Sequence, residues 1–276
     1  MADTSHRNLF HYKPNEGATV VAAIAFGIGA IVHLIQMCRY KTWFYTAMVI
    51  GGIMMSAGYA CRYVSAQDPS KLMPYVLQSL LIILPPSLYA ATMYMIYGRI
   101  VRLVNSPQAS LVRPERVTKI FVTGDVLAFL LQLAGAGLMA KADSTSLGKD
   151  ILLVGLFVQL GFFGFFLVIA IVFDRRMTST GLHHAVPAYG RYTWRNLLYV
   201  LFAAAAIVIG RCIFRVIEFA QGQEGYIVTH EAFMYLFDTV PMFLVQCVFS
   251  VFHGGEVFPG PRAGKTDSFI QLYERP

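Results

Sequence analysis

A small set of polar side chains interrupts long apolar runs in this 276-residue chain, and their types and spacing limit the chemistry available. Arg211, Arg215 and Glu218 are separated by four and three residues, which places all three on one helical face. Arg62 closes an earlier apolar run and Glu231 opens the last one, where it is the natural counter-charge. The expected pairing is Arg211 with Glu231 across two helices, with Glu218 as the fallback partner. Arg62 and Arg215 lie near helix ends, so they can equally be anchors whose long side chains reach the interface. Asp125 and Asp238 stand deeper. Glu231 and Asp238 are seven residues apart, hence on one face with about 10 Å of rise between them. Asp125 is expected about 8 Å inside its helix, if that helix begins near Ile120. Burial favours the neutral acid there unless a basic partner holds the charge. Carboxylates stepped through an apolar phase suit two tasks, holding a cationic head group or passing a proton. Either they do this work or they lock helices together. Gln78, Gln132, Gln159 and Gln246 add amides that tie helices together more often than they bind ligand.

Other chemistries are poorly served. His33 and His253 are single histidines in or beside apolar runs, and His183-His184 and His230 fall in loops or at a helix edge. No spacing supports haem ligation, although haem or a porphyrin is a conceivable ligand. A hydrolytic zinc site needs three converging protein ligands. There is no GxSxG, HExxH or phosphate loop, so neither hydrolysis nor nucleotide-driven pumping is expected of this chain. The four cysteines lack CxxC spacing and read as small buried hydrophobes.

The elements that must position these residues follow from composition. Hydrophobic residues make up 57% and charged residues 13%, about half the ~25% of a soluble domain. So few charges could not solvate a soluble protein of this length, so an ordinary soluble enzyme is excluded. Seven apolar runs, at about 18–38, 43–61, 73–97, 120–140, 151–173, 196–214 and 232–252, each suffice to cross a hydrocarbon core of ~30 Å. Without water to satisfy the backbone they must be helices; the ten-residue alternation of a barrel is absent. The fold class is an all-α bundle of seven transmembrane helices. Pro85-Pro86 falls within the third and should kink it. Gly51-Gly52, Gly135/Gly137 and Gly161/Gly164 are expected to let helices approach closely.

Charge sets the orientation. The first, third and fifth loops with the C-terminal tail carry fourteen basic residues, while the opposite side carries five (Arg7, Lys13, Lys71, Lys141, Lys149). Basic residues gather in cytoplasmic loops, so the N-terminus is expected outside and the C-terminus in the cytosol. That rule also accounts for the formal charge of +7 without a nucleic-acid partner. The expected division is an extracellular segment 1–17, a transmembrane domain 18–254 and a cytoplasmic tail 255–276.

Five stretches resemble the fungal RTA-like family, also called lipid-translocating exporters: GYACRY (58–63), YVLQSLLIILPPSLYAATMYMIYGRI (75–100), FVTGDVLAFLLQLAGAGL (121–138), GRCIFRVIEFAQG (210–222) and EAFMYLFDTVPMF (231–243). The family's recurrent polar positions fall on Tyr59, Arg62, Gln78, Asp125, Gln132, Arg211, Arg215, Glu218, Glu231 and Asp238. The first helix departs most from the shared pattern. The resemblance implies a seven-helix membrane protein of the plasma membrane, or of an endomembrane or vacuole. It also implies transport of amphiphilic lipids such as sphingoid long-chain bases or sterol-like compounds, giving resistance to toxic amphiphiles. The alternatives it leaves open are a lipid sensor or receptor, a porphyrin- or haem-handling protein, and a membrane enzyme. The bilayer and an amphiphilic lipid are the expected partners, and the oligomeric state stays open.

Overall fold

The first span starts where its sequence supplies a cap: the Asn15 side chain accepts from the backbone N–H of Ala18, with Glu16 in the first turn. The computed structural model describes residues 15–67, 72–139, 144–179, 191–221 and 225–258. The far N-terminus, most of the tail, Lys141 and His183-His184 lie outside the described residues. From the cap, α1 (Glu16–Tyr40) runs to Lys41, whose left-handed backbone (φ 56°) returns its N–H to the Met37 carbonyl. A short 3₁₀ turn leads to α2 (Thr46–Gln67). The third span is divided into α3 (Leu72–Ile83) and α4 (Pro85–Leu103). Pro85 and Pro86 have no N–H to give the preceding turn, so the helix breaks at the expected place. Then follow α5 (Pro114–Met139), α6 (Thr145–Ser179) and α7 (Trp194–Gln221). The last span is assembled from pieces. After α8 (Tyr226–Thr229) come α9 (Glu231–Met234), a π turn over Tyr235–Thr239, and α10 (Val240–Val251).

Seven helical segments are long and apolar enough to cross a membrane, and no strand forms among the described residues. The chain is an integral membrane protein. Several helices outrun their apolar runs, because the flanking polar residues favour helix and contain no stop. One extension moves a candidate residue. α5 begins at Pro114, a residue pre-set for the first helical position, rather than near Ile120. Asp125 is therefore about 16 Å from the start of its helix, near the middle, and not about 8 Å.

The spans form a ring. α1 packs on α2, α2 on α3, α4 on α5, α5 on α6, α6 on α7, α7 on α10, and α10 closes back on α1. α4 turns inward from the break and also touches α2 and α7, which makes it the central element. Its tyrosines Tyr94 and Tyr97 meet Phe121, Phe163, Phe166 and Phe173 in edge-on and tilted contacts. Lipid is as apolar as these rings, so the interlock stabilises through dispersion and shape rather than by escape from water. The closest backbone-to-backbone approach joins α5 to α6: a Cβ placed on Gly148 would lie 2.5 Å from the Met139 nitrogen and 2.7 Å from the Gly135 carbonyl. Gly51, Gly52 and Gly135 likewise sit in close contacts, as expected. Gly137, Gly161 and Gly164 do not; they face open space.

Candidate functional site

The polar residues fall into two sets in the bundle interior. The larger is an ion-pair network in which three arginines meet three carboxylates. Arg211 and Arg215, one turn apart on α7, both pair with Asp238, which is fully buried in the π turn. Arg215 also pairs with Glu218 at 2.9 Å. Glu231 pairs with Arg62 of α2 at 2.9 Å, and its second oxygen accepts the Asn15 N–H at 2.7 Å. The expected Arg211–Glu231 pair is thus replaced by Arg211–Asp238 and Arg62–Glu231, and Glu218 serves Arg215 instead of Arg211. The reason is register. α7 and the last span run antiparallel around the 222–230 connection, so Asp238 comes level with the stretch between Arg211 and Arg215. Glu231 sits about 10 Å nearer the end of the bundle, facing α2. The π turn, a device often found at functional sites, turns Asp238 inward and the Thr239 hydroxyl onto Tyr59. Arg62 and Arg215 are not interfacial anchors, since their side chains are only 5% and 11% exposed.

Beside this network, Gln132 donates to Gln159 at 2.9 Å and Gln159 donates to the Ser87 hydroxyl at 3.2 Å, linking α5, α6 and α4. Between these amides and the Arg211/Arg215 pair lies a cavity of about 20 Å³, also walled by Leu152, Leu156, Ile83 and Phe219. That is room for about one water. Gln78 is buried on α3, and its Oε1 has no hydrogen-bond partner among the described residues.

The second set is Asp125 and Tyr94. Asp125 is 2% exposed; its Oδ2 accepts the Tyr94 hydroxyl at 2.9 Å, while Oδ1 has no partner among the described residues. No arginine or lysine pairs with it among the described residues. Asp125 and Asp238 do not lie on adjacent spans. α5 packs against α4 and α6, the last span against α1 and α7, and Cys212 of α7 lies within electrostatic reach of both acids. Sequence reasoning missed Tyr94, Ser87, Thr239 and Asn15. Tyr94 sits in MYMIYGR, where nothing separates a hydrogen-bonding tyrosine from a packing one.

The two intramembrane histidines gather at the other end of the bundle. His33 Nε2 donates to the Gln246 carbonyl at 2.9 Å, and His253 Nδ1 accepts the Gly255 N–H at 3.1 Å. The Tyr45 ring stacks on His33 and on His253 at 5.9 and 4.2 Å, and Tyr40 also stacks on His253. His33 Nδ1 and His253 Nε2 have no hydrogen-bond partner among the described residues, but both imidazoles are fully buried, so a macrocycle on either nitrogen would have to displace the side chains packed around it.

Comparison with known proteins finds relatives along most of the chain. The family described as RTA1 like protein matches residues 48–261. Protoporphyrin uptake protein 1 of Saccharomyces cerevisiae is 34% identical over 88% of this chain and 91% of its own. Protein RTM1 of Saccharomyces cerevisiae is 36% identical over 90% of this chain and 92% of its own. A lipid-translocating exporter-like protein RTA1 of Leptosphaeria maculans is 29% identical over 92% of this chain and 52% of its own. No solved structure matches.

Proposed function

The chain belongs to the RTA1-like family of membrane lipid transporters, and on that premise we propose that it translocates an amphiphilic lipid with a cationic head group, of the sphingoid-base type. One observation carries the reading: Asp125 is a mid-bundle acid that no basic residue neutralises among the described residues, whereas the other three interior carboxylates are matched by three arginines. An ammonium group leaving water needs a local counter-charge. Asp125 supplies it, with Tyr94 holding one oxygen and leaving the other open to the amine, while the aliphatic tail stays in lipid. A proton takes the amine's place when the site is empty. The Pro85–Pro86 break frees carbonyls of the preceding turn at the same central span, as discontinuous helices do in other transporters. Asp238, held by two arginines, keeps the bundle closed on the Glu231 side instead of carrying cargo. The transporter-type names of relatives fit a non-enzymatic role. The N-terminus is outside and the C-terminus cytosolic, so the arginine network guards the outer face.

The experiment is protection of fungal cells against added long-chain base. Asp125→Asn, an isosteric change at a residue with no ion-pair partner among the described residues, is expected to reach the membrane in normal amount and to lose protection. Normal protection by a correctly localised Asp125→Asn protein would defeat the reading.

A further inference from the structure

The lipid-facing side of α5 carries a feature that the transport reading does not use. A groove of about 390 Å³ opens between α5 and α6, lined by Lys119, Ile120, Thr123, Gly124, Leu127 and Phe162. Its floor lies where the Phe162 ring packs directly on Gly124, so closely that a Cβ there would meet the ring at 2.6 Å. The groove is ordered along the helix. Arg116 and Lys119 are exposed at its upper end, in the first two turns of α5, and the Thr123 hydroxyl comes one turn later. Gly124, Leu127 and Phe162 form the wall below. Residues 116, 119/120, 123 and 127 recur at three- and four-residue intervals, hence along one face. α5 has 26 residues, about 39 Å, which exceeds the ~30 Å hydrocarbon core, so its basic first turns belong at head-group level.

We infer that this groove is a binding site for an anionic glycerophospholipid, its phosphate on Arg116 and Lys119 and an acyl chain along Gly124, Leu127 and Phe162. Charge decides the occupant. Within residues 113–119 the upper end offers two exposed cations, with Arg113 exposed just before them, against one exposed carboxylate, Glu115. That surface attracts a lipid with net negative charge and gives little advantage to a zwitterionic one. The ligand is distinct from the cargo, because Asp125 on the opposite, buried face calls for a cation. A chain seated along Leu127 and the Phe162 ring that covers Gly124 braces α5 against α6.

The test is thermal unfolding of the full chain in neutral detergent, titrated with phosphatidylserine, phosphatidylcholine or inorganic phosphate, with native mass spectrometry of the same samples. Phosphatidylserine is expected to raise the midpoint by several degrees and to remain as a mass adduct, while the other two do neither. The double variant Arg116→Gln/Lys119→Gln is expected to need at least tenfold more phosphatidylserine. Thr123→Phe, which obstructs the groove but keeps both charges, is expected to lose the adduct, so the proposal stays testable if the double variant fails to fold. Equal responses to both lipids, an equal response to phosphate, a full response in either variant, or a doubled mass in place of the lipid adduct would each overturn the site. Asp125→Asn should retain the phosphatidylserine response, which separates failure of this site from failure of the transport reading.

Discussion

Asp238 is fully buried and holds two guanidinium groups, so its removal is expected to be the most damaging single change in the network. Breaking a buried ion pair by taking away one partner costs about 3–5 kcal/mol, since the remaining charge is left uncompensated. Asp238→Ala is expected to lower the thermal midpoint in detergent well beyond Glu231→Ala, whose loss leaves one arginine nearer the bundle end. Equal midpoints for the two variants would contradict the assigned pairing. The identity of the polar set was legible from sequence, because charges are costly in hydrocarbon and stand out there. The partners were not. Spacing along one helix says which residues share a face, but pairing across Arg211 and Asp238 depends on the length of the connection and on a π turn that no residue type announces. Tyr94 escaped for a related reason: a tyrosine in an apolar run looks the same whether it packs or donates to Asp125.

At the scale of elements, the seven spans and the break at Pro85-Pro86 could be read directly, since length, hydropathy and a missing N–H leave little freedom. Helix starts were less legible, and the earlier start of α5 carried Asp125 to mid-bundle. Glycines were the least legible, because a missing side chain does not say whether a neighbour or lipid fills the space. Gly148 and Gly161 give opposite answers on the same helix. Gly148→Ala would press a methyl group into the α5 backbone, which cannot yield as a side chain can, and is expected to cost about 1–3 kcal/mol, read as a lower midpoint. Gly161→Ala meets open space and should leave stability unchanged or slightly raised. A Gly148→Ala protein as stable as its parent would mean that α5 and α6 are not in backbone contact.

For the whole molecule, the fourteen-to-five basic asymmetry calls for a tag on the N-terminus to be reachable in intact cells and one after Pro276 to be hidden. Reversed accessibility would turn the bundle over and place the arginine network on the cytosolic side. That network has a consequence at this scale. Its three positive and three negative groups cancel, so when the cluster shifts as a unit it does no electrical work against the membrane voltage, which otherwise amounts to about 2.3 kcal/mol for each elementary charge per 100 mV. On the proposed cargo site the same would hold, since Asp125 is neutralised equally by an ammonium ion or a proton. A transporter working that way would be an electroneutral machine, whose rate follows the gradients of amine and acid and ignores the potential that drives so much other traffic across a cell's membrane.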